Sequence, residues 1–186
     1  MQYYTIAILL TKQLKEILSR FSSGLPYIKW NEPDFYHIAL RQLGRLDEAS
    51  AIDIANALNT IEYSSFFLNL KGLDCYRHTP HTLTLGVSLD ASTDIDRLKS
   101  LIQRELKALH IPDQKKSVLP HIPLAEISDD HHSKLSLYLM EHAGFHYGPI
   151  LIQSFALIST HRTDKTAFYD CHAEFSLQNG NEKVKV

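Results

Sequence analysis

The chain carries two cysteines in 186 residues and a net charge of −2. It also has no apolar run of membrane length and no Pro-, Gly- or Ser-rich linker. Each shortage excludes something. Cys75 and Cys171 lie far apart without metal-type spacing, so buried or free thiols are expected rather than a bridge, and redox chemistry is a poor fit. A near-neutral charge gives no broad basic face for duplex DNA, so any nucleic-acid contact has to be local. The apolar opening "YYTIAILL" is too short to span a bilayer and lacks the basic leader and small-residue cleavage site of a secretory signal. The expectation is a cytoplasmic monomer with no membrane partner. Without a linker or low-complexity tract before the polar end "QNGNEKVKV", residues 1–178 read as one bilobal domain and 179–186 as a polar tail.

What is present, 44% hydrophobic residues with 22% charged, is arranged in alternating strand and helix periods. "QYYTIAIL" reads as a strand, and Thr11 caps a helix whose apolar face is Leu14, Ile17, Leu18 and Phe21. "LPYIKW" and "FYHIALRQL" follow as strands. Asp47 opens a helix with Ile52, Ala55, Leu58 and Ile61 on one side, and "SSFFLNLKGL" returns as a strand. In the second half "HTLTLGVSL" alternates as a strand, and Ser92 or Thr93 caps a helix bearing Ile95, Leu98, Leu101, Ile102 and Leu106. "HIPLAEI", a short helix near Ser133 to His142, and two closing strands, "GPILIQSFALIS" and "TAFYDCHAEFSL", complete the pattern. Helices on strands in each half predict an α+β fold of two pseudo-equivalent lobes.

One small pattern occurs twice. In "DFYHIALRQLG" and again in "LPHIPLAEI", a histidine stands two residues ahead of a small residue and three ahead of a leucine. Strand alternation puts His37, Ala39 and Arg41 on one face against Ile38 and Leu40. It likewise puts His121, Pro123 and Ala125 on one face against Ile122 and Leu124. With the aliphatic pairs anchored to helices, both histidines look into one cleft. Two imidazoles across a cleft suit a phosphodiester displacement: one takes a proton from the nucleophile and the other gives one to the leaving oxygen, with no metal or covalent intermediate. A lone histidine of this kind in a strand is usually structural; recurrence in matched strands argues for a shared site.

The element order, "YYTIAILL", "IKWNEPDFYHIALRQLG", "PHTLTLGVSL" and "LPHIPLAEI" together resemble the two-histidine (2H) phosphoesterases, specifically the bacterial RNA 2′,3′-cyclic phosphodiesterase branch also called 2′-5′ RNA ligase. The resemblance covers nearly the whole chain. It implies two antiparallel sheets flanking a central cleft, helices on the outer faces, and one H-x-T-x motif from each lobe. It implies hydrolysis of RNA 2′,3′-cyclic phosphate ends to 2′-phosphates, RNA joining by the reverse route, and no cofactor. RNA termini or small cyclic nucleotides are the implied partners. By resemblance His37 is the general acid and His121 the general base.

The chain departs from that pattern at the phosphate. Ala39 and Pro123 occupy the motif threonine positions, and Glu126 stands where the family commonly carries an arginine. Arg41 is a candidate to neutralise a phosphate oxygen, Tyr76 to stack on a base, and Arg77, with His78 and His81, to contact substrate. Each has a structural alternative as an edge charge, a partly buried aromatic or a polar turn. The remaining histidines, including the adjacent His131 and His132, lack convergent metal-ligand spacing, so no metal is expected. Two other readings share the fold: a module that binds an RNA end without turnover, and an enzyme for another cyclic phosphate.

Overall fold

A computed structural model describes residues 2–25, 28–79, 82–113, 119–128, 132–162 and 167–178. Among these, in chain order, are β1 (Gln2–Leu9), α1 (Lys12–Ser19), β2 (Lys29–Trp30), a 3₁₀ turn (Pro33–Phe35), β3 (His37–Leu46), α2 (Glu48–Leu58), β4 (Phe66–Thr79) and β5 (Thr82–Leu89). Then come α3 (Thr93–Ala108), β6 (His121–Ser128), α4 (His132–His142), β7 (His146–Ile152), β8 (Ser154–Arg162) and β9 (Ala167–Ser176). The fold is α+β, with two antiparallel sheets: a four-stranded one ordered β3-β1-β8-β9 and a five-stranded one ordered β2-β6-β5-β4-β7. His81, His131 and the tail 179–186 lie outside the described residues, as do the side chains of His78 and His132.

Three helices start where side-chain caps dictate. Thr11 Oγ1 accepts from Leu14 N, Asp47 Oδ1 from Ser50 N and Ser92 Oγ from Ile95 N, each satisfying an amide left open by the first turn. Leu14 and Leu18 of α1 and Ile95, Leu98, Ile102 and Leu106 of α3 are buried as their spacing predicts. In α2 the expected face is rotated. Ala51, Ile54 and Leu58 are buried while Ile52 is 55% exposed, because the helix packs its i, i+3, i+7 stripe inward.

The lobes are interleaved rather than being the two halves of the chain. β2 and β4 belong to the five-stranded sheet, and β8 and β9 return to complete the four-stranded one. The run "GPILIQSFALIS", expected as one strand, is two. β7 ends at Ile152 opposite Phe66, and β8 starts at Ser154 opposite Ser176, so the chain changes sheets at Gln153. No glycine or proline marks that crossing in the sequence. A continuous apolar cluster joins Ile6, Ile8 and Ile38 of one sheet to Leu85, Val87, Ile122 and Leu124 of the other, together with the α1 and α3 faces. Ala7, Ala156 and Ile158, with Leu9 and Tyr169, form a smaller apolar patch. Ala7 alternates with Ile6 and Ile8, so this patch lies on the other face of the four-stranded sheet.

Candidate active site

His37 and His121 are each the first residue of their strand, β3 and β6, and the two strands touch where the sheets meet. Both line one cleft of about 480 Å³, together with Ala39, Arg41, Pro123 and Glu126. The doubled sequence pattern is a doubled backbone device. On β3 the register passes from Ala39 opposite Ala7 to Arg41 opposite Ile6, leaving Leu40 as an extra residue. On β6 it passes from Pro123 opposite Gly86 to Ala125 opposite Leu85, leaving Leu124 as the extra residue. Each bulge falls three residues past its histidine and shifts the alternation beyond it. Gln42 and Glu126 therefore join the cleft lining, while Ala125, which simple alternation assigns to the histidine face, is fully buried. Pro123 sits beside the bulge, where a missing ladder donor is tolerated, and its carbonyl accepts from Asn31 Nδ2 at 3.1 Å.

The two imidazoles are held alike. His37 Nδ1 lies 2.7 Å from Phe35 O and His121 Nδ1 lies 2.8 Å from Leu119 O. A carbonyl only accepts, so Nδ1–H is the donor in both rings and Nε2 is the nitrogen able to take up a proton. His146, also first in its strand, makes the same bond to Gly144 O at 3.0 Å but does not line the cleft. The cap is thus a property of a histidine opening a strand. What sets His37 and His121 apart is the cavity they share.

Their surroundings differ. His37 is buried, with Phe35 and Tyr169 edge-on to its ring at centroid distances of 5.2 and 5.8 Å. Lys15 Nζ donates to Tyr169 OH at 2.9 Å and to Asp34 O at 3.2 Å, tying α1 to both walls around His37. His121 is partly exposed and lies flat against Tyr76, with ring centroids 3.9 Å apart and planes 7° from parallel. Tyr76 OH is 2.7 Å from Ser88 Oγ. Since Tyr76 is on β4 and His121 on β6, the rings meet across β5. Gly86 on β5 has no side chain, and a Cβ there would stand 2.8 Å from both His121 Cδ2 and Ile122 O.

The other candidates fall in several places. Arg41 is buried at the cleft margin, and its Nη2 donates to Pro112 O. Burial lowers its pKa against the opposing pull of Asp113. Tyr76 gives a ring face to His121, and neither it nor the exposed Arg77 lines the cleft. Ala39 and Pro123 line it without a hydroxyl, but Thr5 and Thr84 do so with one. Those two threonines are related by the same pseudo-symmetry: Thr5 faces Gln42 and Thr84 faces Glu126. Among the described residues no group of three His, Cys, Asp or Glu side chains is placed to hold a metal ion. None of their helices is long and apolar enough to cross a membrane.

The family description "LigT like Phosphoesterase" matches residues 8–83, a span that holds His37. A curated RNA 2′,3′-cyclic phosphodiesterase of Aquifex aeolicus is 27% identical over 174 residues, covering 90% of this chain and 93% of that protein. Among solved structures, Escherichia coli LigT complexed with 3′-AMP superposes with a TM-score of 0.74 at 17% identity, over 95% of this chain and 98% of its own. In sequence the chain is similar to the LigT-like phosphoesterases, and it shares their fold. A Thermus thermophilus protein, TT0787, shares the fold as well, with a TM-score of 0.68 at 18% identity, over 96% of this chain and 99% of its own.

Sequence patterns alone do not reveal Phe35, Tyr169, Lys15, Thr5, Thr84, Lys99 and Gly86 around the site. Gly86 carried a usable signal, since an isolated glycine within an alternating strand marks a close approach of another group. Tyr169 carried none, because nothing local to β9 indicates that it reaches His37.

Proposed function

We propose that the protein is an RNA 2′,3′-cyclic phosphodiesterase that opens a terminal cyclic phosphate to a 2′-phosphate by paired imidazole catalysis. The observation that carries this reading is the placement of two histidines, each with Nδ1–H bonded to a backbone carbonyl, in one cleft. The name of the Aquifex aeolicus relative supports the substrate class. One neutral imidazole accepts at Nε2 the proton of a water whose oxygen attacks phosphorus in line. As the P–O3′ bond breaks, the other imidazole, charged, delivers its Nε2 proton to O3′. The product is a 2′-phosphate with a free 3′-hydroxyl, and proton exchange with solvent resets the pair. With a 5′-hydroxyl RNA end in place of water, the same displacement joins ends through a 2′-5′ bond. Arg41 and Lys99 supply positive charge to the cleft, and Thr5 and Thr84 supply hydroxyls.

One observation favours a second reading, a module that holds an RNA end without turnover. Ala39 and Pro123 offer no donor where the family has threonines, and Glu126 brings a carboxylate to a cleft meant for phosphate. Incubating the protein with adenosine 2′,3′-cyclic phosphate and identifying the product by ³¹P NMR separates the two. Conversion to the 2′-monophosphate, unchanged by chelator, is expected. No conversion together with measurable binding of the 2′-phosphate selects the binding module.

A further inference from the structure

A second groove, of about 690 Å³, adjoins the catalytic cleft and shares Leu40, Arg41 and Lys99 with it. From that junction it follows α3. Two adjacent rows of the helix line it, Asp96-Ser100-Arg104 and Lys99-Gln103-Lys107; each row steps by four residues and so stays on one face. Asp113 completes the lining, which makes four cations against two carboxylates on a chain whose net charge is −2. This is the local basic patch that the overall charge leaves room for. The positive end lies along the trailing half of α3, where Arg104 and Lys107 continue away from the cleft. Lys99 to Lys107 spans about 12 Å along the helix axis, enough for more than one backbone phosphate.

Two of the groove's cations are available for exchange. Lys107 meets Asp113 at 3.3 Å, with both side chains more than 60% exposed. Arg104 pairs with its neighbour Glu105 while itself 68% exposed. Ion pairs of this kind contribute little, and an entering phosphate can replace them. Gln103 lines the groove with its Nε2 lacking a hydrogen-bond partner among the described residues, a donor that an acceptor in the groove would satisfy after a side-chain rotation.

We propose that this groove binds the phosphodiester backbone of the RNA strand leading to the reacting 3′ end, so that oligoribonucleotides are better substrates than cyclic mononucleotides. The inference rests on the function proposed above and extends it to substrate length. It is tested with adenosine 2′,3′-cyclic phosphate beside a short oligoadenylate ending in the same group. The test compares the parent, Arg104→Gln/Lys107→Gln, and the control Lys71→Gln/Lys134→Gln, whose positions line neither cavity. The parent should show kcat/KM about tenfold or more higher for the oligonucleotide. The groove variant should lose most of that advantage and keep the mononucleotide rate, while the control keeps both. Single-stranded contacts contribute a log-log salt slope of roughly 0.7 each, so losing two should flatten the slope by about 1.4. An oligonucleotide no better than the mononucleotide, or an advantage that survives in the groove variant, overturns the proposal. If the parent turns over neither substrate, the functional reading fails, and the groove is judged by fluorescence anisotropy with an oligoadenylate ending in 2′-phosphate. Weaker binding by the groove variant than by the control then supports it, and equal binding overturns it.

Discussion

Gly86→Ala should damage catalysis more than it damages the fold. The added methyl would stand 2.8 Å from His121 Cδ2 and 2.8 Å from Ile122 O, where ordinary contact begins at 3.4 Å. Both must therefore retreat by about 0.6 Å, the difference between those distances. Ile122 O belongs to the β6 backbone, so the strand that carries His121 must shift along with the ring. That ring is stacked on Tyr76 by one face at 3.9 Å and pinned at its edge by Leu119 O, 2.8 Å from Nδ1, and it cannot slide without straining both. Overpacking of this size costs about 1–3 kcal/mol of stability, and misplacing a catalytic group by about 1 Å can cost 100-fold in rate. A shift of roughly half that should lower kcat at least tenfold, with the affinity for a 2′-phosphate product nearly unchanged. The assay is steady-state turnover of a 2′,3′-cyclic mononucleotide at a temperature where circular dichroism finds the variant fully folded. The ring-current shifts of the His121 protons report whether the stack on Tyr76 has opened. A folded Gly86→Ala protein with parental kcat and parental shifts would refute the reasoning.

Three further outcomes are expected. Ala39→Thr places a hydroxyl where the family pattern has one, and a regained bond to a charged oxygen of about 1.5–3 kcal/mol should raise kcat/KM by roughly ten- to a hundredfold; a folded variant no faster than the parent means another donor, such as Thr5 or Thr84, already serves. Glu126→Gln removes a carboxylate from the cleft lining, and relief of about 0.5–2 kcal/mol of repulsion should lower KM roughly two- to thirtyfold, whereas a raised KM would assign Glu126 a positive role in binding. The Cys75 thiol is pushed up to about 11, mainly by burial and secondarily by Asp74. The folded state thus favours the neutral thiol, and this contribution to stability is full below pH 9 and lost as pH rises toward 11. The thermal midpoint should fall across that window less steeply in Cys75→Ala, and identical pH dependence in both proteins would count against the burial argument.

Local rules made the helix starts legible, because Thr11, Asp47 and Ser92 cap through their own side chains and need no tertiary information. The two histidine strands were legible for a similar reason, since a short pattern repeated in matched surroundings marks two equivalent positions. Period-2 alternation failed at Leu40 and Leu124, where each bulge adds a residue that no local composition announces. That is why simple alternation puts Ala125 on the face of His121, whereas the fold buries it and brings Glu126 to the cleft lining. The exchange of strands between lobes at Gln153 was hidden because an apolar run keeps its composition while its pairing partners change. Tyr76 illustrates the limit of transferring roles by position. The expected strand "SSFFLNLKGL" stops at Leu73, whereas β4 runs on to Thr79 and carries Tyr76, and only the bare backbone of Gly86 between two rings explains why it packs on His121.

The central claim, that His37 and His121 act as one acid-base pair on one phosphate, is tested most directly by the pH dependence of kcat/KM for a 2′,3′-cyclic mononucleotide in the parent, His37→Ala and His121→Ala. A neutral base working beside a charged acid gives a bell-shaped profile whose two limbs belong to the coupled pair. Each alanine variant should lose about 100- to 10,000-fold in rate and one limb of the bell. A parent profile without a bell, or either variant turning over substrate at the parental rate, would contradict the account.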